Sequence, residues 1–116
     1  CAQFGVDADR EKGATGVWVK RDGVSSKICA LGVRVRRWVS MHGLALNVTT
    51  SLEHFDLIVP CGLTGRKVTS LHSELNSACP SLALVKEAMG AHFQRSLAAK
   101  RRLASKISDD AGATRA

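Results

Sequence analysis

The chain has 116 residues, 45% of them hydrophobic, with only two prolines and a formal net charge of +7. That suffices for one domain, or part of one, with a modest core, and it argues against a disordered or disulfide-stapled chain. No apolar run approaches the roughly 20 residues that a membrane span needs, so a soluble protein with no membrane partner is expected.

The sequence opens on Cys1 rather than Met, and is read as processed or incomplete at that end. Gly16-Val17-Trp18-Val19-Lys20 is a short β-prone run, and Arg21-Asp22-Gly23 supplies Asp-Gly turn chemistry. A second strand is expected from about Lys27 to Val35, and a third from about His42 to Val48. In the third, Leu44, Leu46 and Val48 share one face by the two-residue period. Gly43 weakens that strand unless a bulge sits there or a ligand approaches the backbone. Thr50-Ser51 can cap a short helix over residues 52–58, which Pro60 stops. Cys61 follows on a glycine-rich turn, and Val68-Thr69-Ser70-Leu71 is a brief extended piece. Pro80-Ser81 starts a helix with apolar Leu82, Val85, Met89, Phe93 and Leu97 at steps of three or four. Residues 1–100 are thus expected to belong to the folded domain, and residues 101–116 to a charged, flexible tail.

The charge is uneven. Seven basic residues lie between Lys12 and Arg37 against the single Asp22, and Arg95, Lys100, Arg101, Arg102 and Lys106 form a second cluster. Such surfaces favour acidic partners, although many of these side chains need be no more than a solvated face. The four cysteines are widely spaced with no C-x-x-C pair, and the four histidines show no metal-binding spacing. This argues against zinc, leaves no metal or cofactor expected, and points to free thiols in a reducing compartment.

The chemistry concentrates in Lys27 and in Pro60-Cys61-Gly62. An unperturbed cysteine is only roughly 3% thiolate at pH 7. A cation within a few Å lowers an acid's pKa by ~1–3 units, which would raise the reactive fraction some ~20-fold. A lysine, unlike an arginine, can also accept a proton during the reaction. Cys29 among apolar neighbours, and Cys79 before Pro80, read as structural. His42 offers a general base on paper, but a strand histidine satisfied by backbone is the commoner arrangement. His54, His72 and His92 carry no assigned role, and Trp18 and Trp38 read as packing residues.

Four segments, Gly16–Val19, Lys27–Val35, His42–Val48 and Ile58–Leu63 with the following Val68–Leu71, stand in the order found in the lipoyl (octanoyl) transferases. The chain resembles that family. The family's Arg-Gly-Gly and His-Gly-Pro-Gly-Gln segments have no counterpart in these residues, so the resemblance covers the C-terminal portion, without part of the acyl pocket; alone, that portion is expected to lack activity. It implies an α+β fold like that of the biotin and lipoate protein ligases, with a mixed, mainly antiparallel sheet and packed helices.

The resemblance implies an acyltransferase of lipoate biosynthesis that moves an octanoyl group from acyl carrier protein onto a lysine. The acceptors would be the lipoyl domains of 2-oxoacid dehydrogenase complexes and the glycine cleavage H protein. It gives Cys61 the acyl-thioester role and Lys27 the tuning and proton-handling role. Ala30, Leu31 and Gly32, with Gly43, Leu44 and Ala45, would line the substrate. The expected compartment is the cytoplasm, or the mitochondrial matrix in a eukaryote. Two rivals remain open. An ATP-dependent lipoate or biotin ligase works through an acyl-adenylate and needs no cysteine nucleophile. A basic nucleic-acid-binding module could use Arg34-Val35-Arg36-Arg37-Trp38, but two Trp, three Phe and no Tyr make a poor stacking platform.

Overall fold

The computed structural model describes residues 1–57 and 66–113. The chain divides into two compact units, residues 1–80 and 81–116. The first is built on a mixed, mainly antiparallel sheet, the architecture implied by the resemblance. Its strands are β1 (Ala8–Glu11), β2 (Ala14–Arg21), β3 (Val24–Arg36), β4 (Val39–Leu46) and β5 (Lys67–Val68). β1 to β4 lie side by side in chain order, each antiparallel to the next, while β5 pairs in parallel with β3. β1 has no alternating apolar pattern and was not foreseen from the sequence.

The β2–β3 connection is the tight turn expected from Asp22-Gly23. Both residues adopt positive φ, 51° and 77°, matching the twist of the flanking strands. The β3–β4 turn repeats this geometry with bulkier residues, Arg37 at 49° and Trp38 at 66°. Trp38 is therefore not the packing residue expected: it sits at a turn tip and is 99% exposed. Trp18 does pack, at 2% exposure, its indole N–H donating to the Ala14 carbonyl at 3.2 Å.

β3 is the axis of the unit. Its first half pairs with β2, and from Cys29 outward it pairs with β4 in unbroken register to Arg36–Val39. Where β4 leaves, β5 takes over the same edge, pairing Ser26 with Lys67 and Lys27 with Val68. Backbone bonds close the handover: Asn47 N–H to the Ile28 carbonyl (3.0 Å), and Thr69 N–H to the Lys27 carbonyl (2.9 Å). Ile28, Val48 and Leu71 are buried there. The helix expected over residues 52–58 is a 3-10 turn at Glu53–Leu57. The extended piece after it shortens to β5, because Ser70 caps a short helix α1 (Leu71–Leu75) by accepting from the Ser73 N–H at 3.1 Å.

In the second unit, helix α2 runs Leu82–Ala113, past Lys100 where the apolar stripe fades. Of that stripe Val85 is buried and Met89 half-buried, whereas Leu82, Phe93 and Leu97 are exposed. Helical spacing identifies the residues sharing a face; it does not cover the face. Among the described residues, no helix is long and apolar enough to cross a membrane.

Gly16 holds φ at +128°, and a Cβ there would lie 2.7 Å from the Cys29 carbonyl oxygen. Left-handed strain and backbone collision both oppose any side chain. Gly16→Ala should cost ~1–3 kcal/mol, seen as a lower urea midpoint at unchanged slope.

Candidate active site

Of the seven cations between Lys12 and Arg37, six are exposed and only Lys27 is buried, at 8%. Its position follows from β2. Trp18 pairs with Lys27 across the ladder beside a register shift, and the ammonium lies 4.8 Å from the Trp18 ring centroid. The Lys27 Cδ and Cε lie 3.4 and 3.2 Å from the place a Gly16 Cβ would occupy. The missing side chain is thus the channel through which the lysine stem passes. A cation held over a desolvated indole gains about 2 kcal/mol, which offsets part of the cost of removing an ammonium from water.

A second cation shares that ring. The Arg66 guanidinium lies 4.9 Å from the Trp18 centroid and pairs with the Glu11 carboxylate. Glu11 also accepts from the Ser25 hydroxyl at 2.5 Å. These donors, Ser25 first and Arg66 second, hold the Glu11 carboxyl below the usual glutamate range. Three strands and the residue before β5 therefore converge on one indole.

The two expected substrate-lining stretches are register partners: Ala30 faces Ala45, Leu31 faces Leu44, and Gly32 faces Gly43. No bulge interrupts β4, so a bulge does not explain Gly43. Nor does packing, since a Cβ at Gly32 or Gly43 would meet nothing within 4 Å. His42 is exposed with φ 72° and faces Val33. Cys29 is buried, and burial pushes its thiol pKa up, as fits a structural residue. Cys61, with Pro60 and Gly62, lies outside the described residues.

A family model described as the lipoyl protein ligase A/B catalytic domain matches residues 1–94. The chain belongs to this family. Among similar curated proteins, each called octanoyltransferase, one from Christiangramia forsetii is 47% identical over 94 residues, covering 80% of this chain and 40% of that protein. One from Flavobacterium johnsoniae is 53% identical over 78 residues, 64% of this chain and 32% of its own length. One from Bacteroides fragilis is 48% identical over 101 residues, 86% of this chain and 45% of its own length. The chain thus spans less than half the length of these relatives.

Within this lipoyl protein ligase A/B domain, sequence reasoning singled out Lys27, which the structure buries against Trp18, but missed its surroundings. Arg66, Glu11 and Ser25 lie far apart in the chain and carry no spacing signal. Gly16 was read only as part of a strand. The one available hint was a glycine two positions before an aromatic in a β-prone run.

The depressed Glu11 pKa has a defined sign. The pairing contributes stability above the ordinary glutamate pKa, and this is lost as pH falls through the lower folded value. Between neutral pH and about pH 3, the melting temperature of the native chain should fall more steeply than that of Glu11→Gln. Parallel curves would show that the pair adds nothing.

Proposed function

We propose that the family domain to which this chain belongs transfers an octanoyl group from acyl carrier protein to a specific lysine of lipoyl domains, through a thioester on Cys61. The reading is supported above all by the placement of Lys27. It is the one buried cation of a basic stretch, and it lies beside β5, the strand that follows the Pro60-Cys61-Gly62 frame. Cys61 precedes Arg66 by five positions, so the covalent chain alone limits their separation to about 18 Å. Arg66 and Lys27 meet the same indole.

The proton and bond accounting closes on these two groups. The Cys61 thiolate attacks the octanoyl carbonyl carbon, and the carrier's thiolate leaves, taking a proton from the Lys27 ammonium. An acyl-enzyme thioester and a neutral Lys27 remain. The acceptor ε-amine then attacks the thioester carbonyl, its proton passes to Lys27, and the Cys61 thiolate is released. Thioester exchange is nearly isoenergetic and thioester to amide runs downhill, so no nucleotide is required. The six exposed cations between Lys12 and Arg37 suit acidic carrier and acceptor domains.

In the full-length enzyme, Cys61→Ala should abolish transfer, and intact-mass measurement with octanoyl-carrier should show one octanoyl adduct on Cys61. Acylation at another residue would overturn the scheme, as would a requirement for ATP, which would favour the adenylating ligase. Lys27→Arg retains the charge but cannot cycle a proton, and should lose at least about 100-fold in rate. Near-native turnover would remove the proton-transfer role.

The glycine pair gives an independent check. Neither Gly32 nor Gly43 is required by packing, so Gly43→Ala should leave the melting temperature unchanged or slightly raised. If the acyl group lies against this backbone, the same variant should slow transfer on the order of 10-fold. Unchanged transfer would place the acyl chain elsewhere.

A further inference from the structure

Beyond the Val17–Cys29 rung, where the pairing of β2 with β3 ends, β3 and β4 run on together as a two-stranded arm. Every residue from 31 to 45 is exposed. Two strands alone make a marginal structure in water, and this pair shows Val33, Val35, Trp38, Val39, Met41 and Leu44 to solvent. The turn at its tip is strained as well. Arg37 and Trp38 hold positive φ values that such turns usually reserve for Asn and Gly, yet Trp38 packs on nothing at 99% exposure. Stability does not account for a bulky, left-handed tryptophan in solvent.

Unbalanced charge gathers on the same arm. No Asp or Glu occurs between Asp22 and Glu53, and Arg34, Arg36 and Arg37 all lie on the arm. The exposed cations nearer the sheet have acids beside them. Arg21 pairs with Glu74 at 2.8 Å, Lys20 lines a cleft with Asp7, Asp9 and Glu11, and Lys12 follows Glu11. Among the described residues, neither ion pair uses an arginine of the arm. Arg34 faces Met41 and Arg36 faces Val39 across the ladder, so two guanidiniums share one face about 7 Å apart along the strand. Exposed Arg, Trp and Met without Lys, Asp or Glu is the composition of a protein-binding patch, and forked guanidiniums grip carboxylates and phosphates. A single Trp with no second aromatic on the arm is a poor platform for stacked bases.

We propose that the β3–β4 arm is the docking surface for the acyl carrier protein: Arg34, Arg36 and Arg37 meet the carrier's carboxylates and the phosphate of its prosthetic arm, and Trp38 is the apolar anchor. This role rests on the octanoyl-transfer reading given above and gives one of its two protein partners a place. The carrier is chosen over the acceptor because it adds a phosphodiester to an acidic surface, and guanidinium forks suit both groups. The Gly32–Gly43 rung is the next one inward on the face that carries Arg34 and Met41. A carrier seated there stands beside the backbone proposed to line its acyl chain. The strained turn then has a return, since it holds Trp38 and three cations out where a partner can reach them.

The test uses the full-length enzyme and the fluorescence anisotropy of labelled octanoyl-carrier at low salt. Arg34→Gln, Arg36→Gln and Arg37→Gln combined should weaken binding about 10-fold or more and flatten its salt dependence. Trp38→Ala should weaken it about 10-fold. Both variants should melt within about 3 °C of the native enzyme, because the altered side chains are exposed. Native carrier affinity in the triple variant would overturn the proposal. So would a large drop in its melting temperature, which would mean that the enzyme's own chain covers the arm. Loss of lipoyl-domain binding with carrier binding intact would assign the arm to the acceptor, and a single-stranded oligonucleotide that binds more tightly than the carrier would assign it to nucleic acid; either result overturns the proposal. A native enzyme that neither binds the carrier nor takes octanoyl from it would sink the transfer reading itself, whereas normal uptake with unaffected variants sinks the docking role alone.

Discussion

A buried ammonium is the constraint around which the first unit is arranged. Taking Lys27 to 8% exposure withdraws its charge from water, and the fold answers with the indole face of Trp18. Gly16 is the structural condition for this arrangement, because any Cβ would collide with the Cys29 carbonyl oxygen at 2.7 Å and crowd the lysine stem.

The division of β3 between partners explains how distant segments reach that amine. β4 covers the outer part of the strand and departs at Leu46, leaving the edge beside Ser26 and Lys27 open for β5. Asn47, in the bend between them, ties the handover: its backbone carbonyl accepts from Leu71, and its side-chain amide donates to the Thr69 carbonyl at 3.1 Å. Thr69 and Ser70 are buried polar residues whose hydroxyls are likewise used, Thr69 donating to Glu74 at 2.6 Å and Ser70 capping α1. The Val68–Leu71 piece is therefore a joint that brings β5 alongside Lys27. Its polarity reflects satisfied hydrogen bonds and not a solvent-facing loop.

What the sequence disclosed follows from which physics is local. Alternation and turn chemistry are local, so β2, β3, β4 and the Asp22-Gly23 turn were legible, as was the mixed sheet through the family resemblance. Burial is not local. Trp38 has the composition of a core residue and stands in solvent because two residues with positive φ turn the chain there. The outer ladder shares this fate: Val33, Val35, Val39 and Met41 have strand character and remain 50–71% exposed. β1 was missed because Ala8-Asp9-Arg10-Glu11 lacks an apolar face. The Glu11–Arg66 pair was missed because it joins residues 55 positions apart. The role proposed for Lys27 rests on family position, since an isolated lysine in a sequence looks like any other surface charge.

The ladder between β3 and β4 separates two kinds of glycine, and the distinction bears on what the face is for. Gly16 is demanded by the fold: its φ and its neighbours both exclude a side chain. Gly32 and Gly43 are not, for their surroundings would admit one. Directly paired residues share a face, so Ala30 with Ala45 and Gly32 with Gly43 present two methyl groups followed by bare backbone. On the reverse face of the same ladder Leu31 stands opposite Leu44, and Val33 opposite His42. A strand pair that needed only stability would fill both faces with β-branched residues, because such side chains favour the pleated surface. Leaving one face stripped over two consecutive rungs lowers intrinsic strand stability and gains closeness of approach to the peptide backbone. A flexible hydrocarbon chain is the kind of guest that can lie along such a surface, and the acyl-lining role proposed for these two stretches would fall to Ala30, Gly32, Gly43 and Ala45 on this face, with Leu31 and Leu44 on the other.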